Sequence, residues 1–106
     1  MEDWENIMRI IKYLKGTLKY GINISKHNSV EAFVDADYAG DSQTRRSTTG
    51  FMIRLGNSPT IWCSKLQHCV STSTAEAEYY SLSECSKQCI WYLNLLNELK
   101  FLTLVQ

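Results

Sequence analysis

Apolar side chains at Trp4, Ile7, Met8, Ile11 and Leu14 recur at helical spacing. The spacing predicts a helix over residues 4–15, with Gly16 as its C-terminal stop. The period then drops to two: Leu18, Tyr20, Ile22 and Ile24 alternate with Lys19, Gly21 and Asn23, as in a strand. His27, Asn28 and Ser29 supply turn chemistry. Over residues 31–39, Ala32, Val34, Ala36 and Tyr38 fall on one strand face, and Phe33, Asp35 and Asp37 on the other. A polar connection follows, then a second strand at residues 50–55, a turn at 57–59 and a third strand at 60–65. Residues 69–72 are a candidate extension of that strand. From Ser73 the period becomes 3.6. Ser73 with Glu76 matches a capping box, and Tyr79, Leu82, Ser86, Cys89, Leu93 and Leu96 form a stripe expected to face the core.

A helix, an antiparallel meander and a long helix make an α/β (α+β) arrangement, without repeat, linker or low-complexity segment. With 106 residues, 44% of them hydrophobic, the chain has the size of one soluble domain or a piece of one. Its single Pro and five Gly argue against disorder. No apolar run approaches the roughly 18–20 residues that span a bilayer, so no membrane role is expected. No secretory signal opens the chain, and reduced thiols in an intracellular protein are the expectation for its cysteines.

Eleven basic and eleven acidic residues cancel, so electrostatic function must come from local clustering. The clustering is there. Arg9, Lys12, Lys15, Lys19 and Lys26 fill a stretch without acids, whereas Glu31, Asp35, Asp37 and Asp41 fill the next without bases. Asp is a poor strand former, yet two stand at i and i+2 on one strand face. Such carboxylates repel unless a cation or water screens them, and hard oxygen ligands suit magnesium or manganese. A strand end entering a turn accounts for them equally. Glu78 adds a carboxylate at the start of the long helix, four residues before Leu82, leaning toward the packed side. A strand Asp facing such a Glu suits a divalent ion, which can activate water against a phosphodiester. Cys63, Cys69, Cys85 and Cys89 lack a zinc spacing, and His68 stands alone in the sequence.

In order, YLKGTLKYGI, VDADYAGD, RRSTTGFM, IWCSKLQ and STSTAEAEYYSLSE resemble the ribonuclease H region of copia-type LTR retrotransposon Pol polyproteins. The resemblance runs from about Ile7 to Leu99. It implies a ribonuclease H-like fold and cleavage of the RNA strand in RNA–DNA hybrids, with two magnesium (or manganese) ions on four acidic residues. By position, Asp35 and Glu78 are the first two of these, and Asp37 is a further candidate ligand beside them. Arg45, Arg46, Ser71, Thr72 and Ser73 flank the expected groove, as contacts to phosphate or 2′-hydroxyls. The same resemblance makes residues 1–16 a connecting helix from the polymerase region and 17–106 a partial ribonuclease H-like domain. The implied partners are the hybrid and the polymerase part of the same polyprotein, in a cytoplasmic virus-like particle or the nucleus.

The family continues with a strand bearing an Asp-Asn motif and a later acidic residue, whereas no Asp or Glu follows Glu98 here. The expectation is therefore a truncated fold without its later strands and helices, weak metal binding and no cleavage. An open sheet edge would favour self-association. A non-catalytic nucleic-acid-binding or assembly relic, using Arg9 to Lys26, is the alternative; its binding would weaken with salt and survive Asp35→Asn. A metal-dependent glycosyl transferase reading of Asp35–Ala36–Asp37 lacks the nucleotide-binding framework it needs.

Overall fold

The first helix, α1 (Glu2–Gly16), forms where the 3.6-residue pattern predicts it. Glu2, Asp3 and Glu5 in its first turn and Lys15 in its last complement the helix dipole. Thr17 closes it, its hydroxyl donating to the Tyr13 carbonyl at 2.9 Å. In this computed structural model, which describes residues 2–24, 26 and 29–101, α1 buries none of its residues and touches no other element.

Residues 18–24 do not form the predicted strand. The Tyr20 N–H instead donates to the Thr17 carbonyl at 2.9 Å, closing a turn, and Leu18, Tyr20, Ile22 and Ile24 stand exposed. Alternation yields a strand only where a neighbour accepts its hydrogen bonds, and no such ladder forms here among the described residues. Ser58 Oγ donates to the Asn23 carbonyl at 2.7 Å. Of the turn expected at 27–29, only Ser29 lies within the described residues.

Strands β1 (Val30–Asp37), β2 (Thr48–Leu55) and β3 (Ser58–Leu66) form an antiparallel sheet in the order β1-β2-β3. Val34 lies opposite Phe51, Asp35 opposite Gly50, and Met52 opposite Trp62. The β2–β3 turn falls on Gly56 and Asn57, one residue earlier than expected, because Gly56 takes the left-handed conformation (φ 59°) that glycine accepts freely. Pro59 therefore sits inside β3, on an edge strand and beside the irregularity at Ile53 and Arg54, where its missing N–H costs least. Residues 69–72 leave the sheet rather than extending β3.

The long helix, α2 (Thr74–Glu98), lies across one sheet face. Ile53 is fully buried there against Tyr92 and Leu96, ringed by Val30, Phe51, Leu55, Ile61, Cys89 and Phe101. The line facing the sheet is Ala77, Ser81, Cys85, Tyr92 and Leu96; of the expected stripe Leu96 is on it and Cys89 packs beside it, whereas the earlier members turn away. Tyr79 is 73% and Leu82 47% exposed. The helix is rotated because the sheet beneath its first half presents polar Thr49 and Gln67, which only small side chains can approach closely. The chain is thus a mixed α+β unit of two helices and a three-stranded sheet. Among the described residues no helix is long and apolar enough to cross a membrane.

Ser73 caps α2 as expected, its hydroxyl accepting the Glu76 N–H at 3.1 Å. The return half of the capping box is shifted by one residue. The Glu76 carboxylate accepts the Thr72 N–H at 2.6 Å and the Thr72 hydroxyl at 2.7 Å. These bonds hold Glu76 below the usual glutamate range. A carboxyl whose pKa falls on folding contributes stability above its unfolded value, and that stability is lost as pH falls through the folded one. Thermal midpoints should therefore drop more steeply with acidification in the wild type than in Glu76→Gln. Parallel curves would assign Glu76 no such role.

Candidate functional site: the seam between β1 and α2

Val34 reaches into a hollow shared with Ala75, Glu78, Tyr79 and Leu82, so β1 lies directly against the first turns of α2. The pleat turns the next residue the other way. Asp35, opposite Gly50, shares the far face with Phe33 and Met52. Val34, the neighbour of Asp35 in the chain, thus shares a hollow with Glu78, while Asp35 itself lies on the other face of the strand. Glu78 is exposed rather than leaning into the packed side, because the buried line of α2 passes through Ala77 and Ser81.

Asp37 ends β1 with its carboxylate over Gly40. A Cβ on Gly40 would stand 2.1 Å from Asp37 Oδ2, so this approach needs the glycine of DADYAGD. The β1–β2 loop is held from within. Ser47 Oγ accepts the buried Ala39 N–H at 3.0 Å, and the Asp41 carboxylate accepts the Thr44 N–H at 2.9 Å as well as the Thr44 hydroxyl. The bonds from Thr44 place Asp41 below the usual carboxylate range. Arg45, exposed and in the left-handed region (φ 58°), and half-buried Arg46 project from this loop, with Arg46 Nε donating to Thr44 Oγ1 at 3.3 Å.

The Ser71–Ser73 run is committed to the start of α2. Ser73 is the cap, Thr72 holds Glu76, and buried Ser71 donates to Gln67 Oε1 at 3.1 Å. Gln67 escaped the reading of the sequence. It is 2% exposed, and its Nε2 donates to Thr49 Oγ1 and the Ala77 carbonyl at 3.1 Å each and to Ser81 Oγ at 3.3 Å. Ser81 Oγ donates in turn to Thr49 Oγ1 at 3.0 Å. This network fixes where α2 starts relative to β2, and with it where Glu78 stands. Its signal in the sequence is faint: an amide at a strand end, before a run of small hydroxyl residues.

All four cysteines are free. Cys85 and Cys89 stand with Sγ atoms 4.0 Å apart on the inner side of α2, and burial, then its neighbour, pushes the Cys85 thiol up to about 11. His68 is less isolated than its sequence suggests, lining a hollow with Cys63, Lys65, Tyr80 and Glu84.

Among the described residues, no three His, Cys, Asp or Glu side chains converge so as to hold a metal ion. Magnesium and calcium take six or more oxygen ligands, of which waters supply only some. Along this seam the candidate ligands are the carboxylates of Asp35, Asp37 and Glu78, and waters or substrate oxygens would have to supply the remaining positions.

Comparison with known proteins bears on what the seam belongs to. The chain is 41% identical, over 92% of its length, to the Retrovirus-related Pol polyprotein from transposon RE2 of Arabidopsis thaliana. It is 42% identical, again over 92%, to that from transposon RE1 of the same plant. Retrotransposon Pol polyproteins are thus among its homologues. The chain spans 7% of the length of each of these two relatives, so it corresponds to one short stretch of them. A protein named Secreted RxLR effector protein 161, of Plasmopara viticola, is 36% identical over 83% of this chain and 63% of its own length. No family model matches the chain. No solved structure matches it either.

Proposed function

We propose that this retrotransposon-derived chain is part of a ribonuclease H region. Asp35 and Glu78 would be two of the carboxylates around its magnesium or manganese ions, with Asp37 beside them. The seam supports this reading: a strand bearing two aspartates lies against the first turns of a helix bearing Glu78. On this reading the fold is ribonuclease H-like and the substrate is the RNA strand of an RNA–DNA hybrid. Residues 1–16 lead in from the polymerase region, and the site of action is a cytoplasmic virus-like particle or the nucleus. On the same reading metal binding is weak and the chain alone does not cleave.

Manganese is the test probe, because its unpaired electrons broaden the NMR signals of nearby amides. At millimolar concentration it should broaden the amides around Asp35 and Glu78 first, and Asp35→Asn should remove that effect. The chain should leave a labelled RNA–DNA hybrid intact. Broadening centred on another segment, or cleavage that survives Asp35→Asn, defeats the reading.

A second reading rests on α1, where Arg9, Lys12 and Lys15 are exposed and none pairs with a carboxylate of a described residue. As a non-catalytic module the chain would bind nucleic acid with a steep salt dependence that Asp35→Asn leaves unchanged.

A further inference from the structure

Two apolar surfaces of this chain are left without a cover. One is the sheet face away from α2, where Phe33, Met52 and Trp62 stand side by side across the three strands; the Arg54 guanidinium lies 4.6 Å over the Phe33 ring, and Trp62 is 65% exposed. The other is the α1 stripe of Trp4, Ile7, Met8, Ile11 and Leu14, none of it buried. A sheet with an apolar row on its second face is completed by a further layer, and an amphipathic helix is a common one.

Charge and length match the two surfaces. Along the sheet face, Arg54, paired with Glu31, marks one end, while Asp35 and Asp37 mark the other. Along α1, Glu2, Asp3 and Glu5 lie at the start, and Arg9 and Lys12 border the groove of Trp4 and Met8. Glu31 to Asp37 spans about 20 Å of strand. Asp3 to Lys15 spans about 18 Å of helix. Laid along β1 in the same direction, α1 sets its acidic start by Arg54 and its basic half over the two aspartates.

The chain's own helix cannot take that seat. The matched register puts Gly16 at the Asp37 end, whereas the connection is tied to the opposite end. There Ser58 Oγ bonds the Asn23 carbonyl, and the Gly56 N–H donates to the Ser29 carbonyl at 2.7 Å. The turn from Thr17 to Tyr20 covers under about 7 Å. The step from Gly16 to Thr17 adds about 4 Å and three extended residues to Asn23 about 10 Å, about 21 Å in all. That is short of the roughly 25 Å from a seat one layer above β1 at the Asp37 end to Ser58 on β3, two strands across and about 20 Å along. We propose that the open sheet face seats α1 of a second copy, each copy lending its helix to the other in a two-fold dimer. Such an exchange buries both patches twice over and closes on itself, leaving neither free for a third copy.

Sedimentation equilibrium should find a dimer at micromolar concentration. Ile7→Glu with Ile11→Glu on the helix, or Trp62→Glu on the sheet, should each give a folded monomer, since these side chains lie outside the core. A zero-length cross-link between Lys12 and Asp37, formed in a mixture of 15N-labelled and unlabelled chains, should join peptides of unlike isotope. A wild type that stays monomeric at a hundred micromolar overturns the proposal. So does a dimer indifferent to these substitutions, or a Lys12–Asp37 cross-link formed within single chains alone. None of these measurements involves metal or nucleic acid, so their failure leaves the proposed function untouched.

Discussion

Gln67→Leu is expected to cost about 2–4 kcal/mol of folding stability, read from urea denaturation. The substitution keeps the size of the side chain and removes only its amide. Ser71 then loses the acceptor for its buried hydroxyl, and Thr49 and Ser81 lose a shared donor. Each buried group left unpaired costs about 1–3 kcal/mol, which is why the loss exceeds the net worth of any single hydrogen bond. Removing the partners as well, with Ser71→Ala and Ser81→Ala in the same chain, should recover part of it. If Gln67→Leu unfolds at the wild-type urea midpoint, the network does not hold α2 in place. In the manganese experiment the same variant should also blur the broadening around Glu78, because the register of the helix start is no longer fixed.

Ile53→Ala is expected to cost about 2–5 kcal/mol, the range for truncating a well-packed aliphatic side chain. The effect is large for this protein because its core is small: Ile53, Tyr92 and Leu96 form the buried cluster, with partly buried neighbours around them. Single domains are stable by only about 5–15 kcal/mol, and an open two-layer unit belongs near the bottom of that range. Circular dichroism at room temperature should therefore show a substantially unfolded Ile53→Ala. Ile53→Val, which removes one methylene for about 0.5–1.5 kcal/mol, should stay folded. Two superimposable melting curves for wild type and Ile53→Ala would mean that the core lies elsewhere.

The contrast between Gln67 and Ile53 also explains what the sequence could and could not convey. Ile53 sits in a strand the sequence marks between polar turns, but Phe51, Met52 and Ile53 run together, so which of them is buried is decided by the helix above. The start of α2 was legible, since Ser73 and Glu76 bond across one turn. The rotation of α2 was not. Tyr79 and Leu82 have the hydropathy of core residues, but the surface they would meet carries Thr49 and Gln67, which are distant in sequence. Residues 18–24 failed likewise: their alternation is that of a strand, and pairing depends on a neighbour their own sequence does not specify. For the seam, alternation already divided Val34 from Asp35. That Val34, rather than the aspartate, would share a hollow with Glu78 emerged only with the placement of the helix.

Strand β1 has β2 on one side, and among the described residues nothing hydrogen-bonds along its other side. An unpaired strand edge recruits more strand, into aggregates as readily as into a native partner, and charges along such an edge are a natural deterrent. Glu31, Asp35 and Asp37 place three such charges on β1. Replacing Asp35 by Asn removes one of them from a segment rich in Val, Ala and Phe. The folded aspartate-to-asparagine control is therefore expected to precipitate more readily than the wild type, and a soluble yield measured beside each assay separates a protein that lost its chemistry from one that left solution.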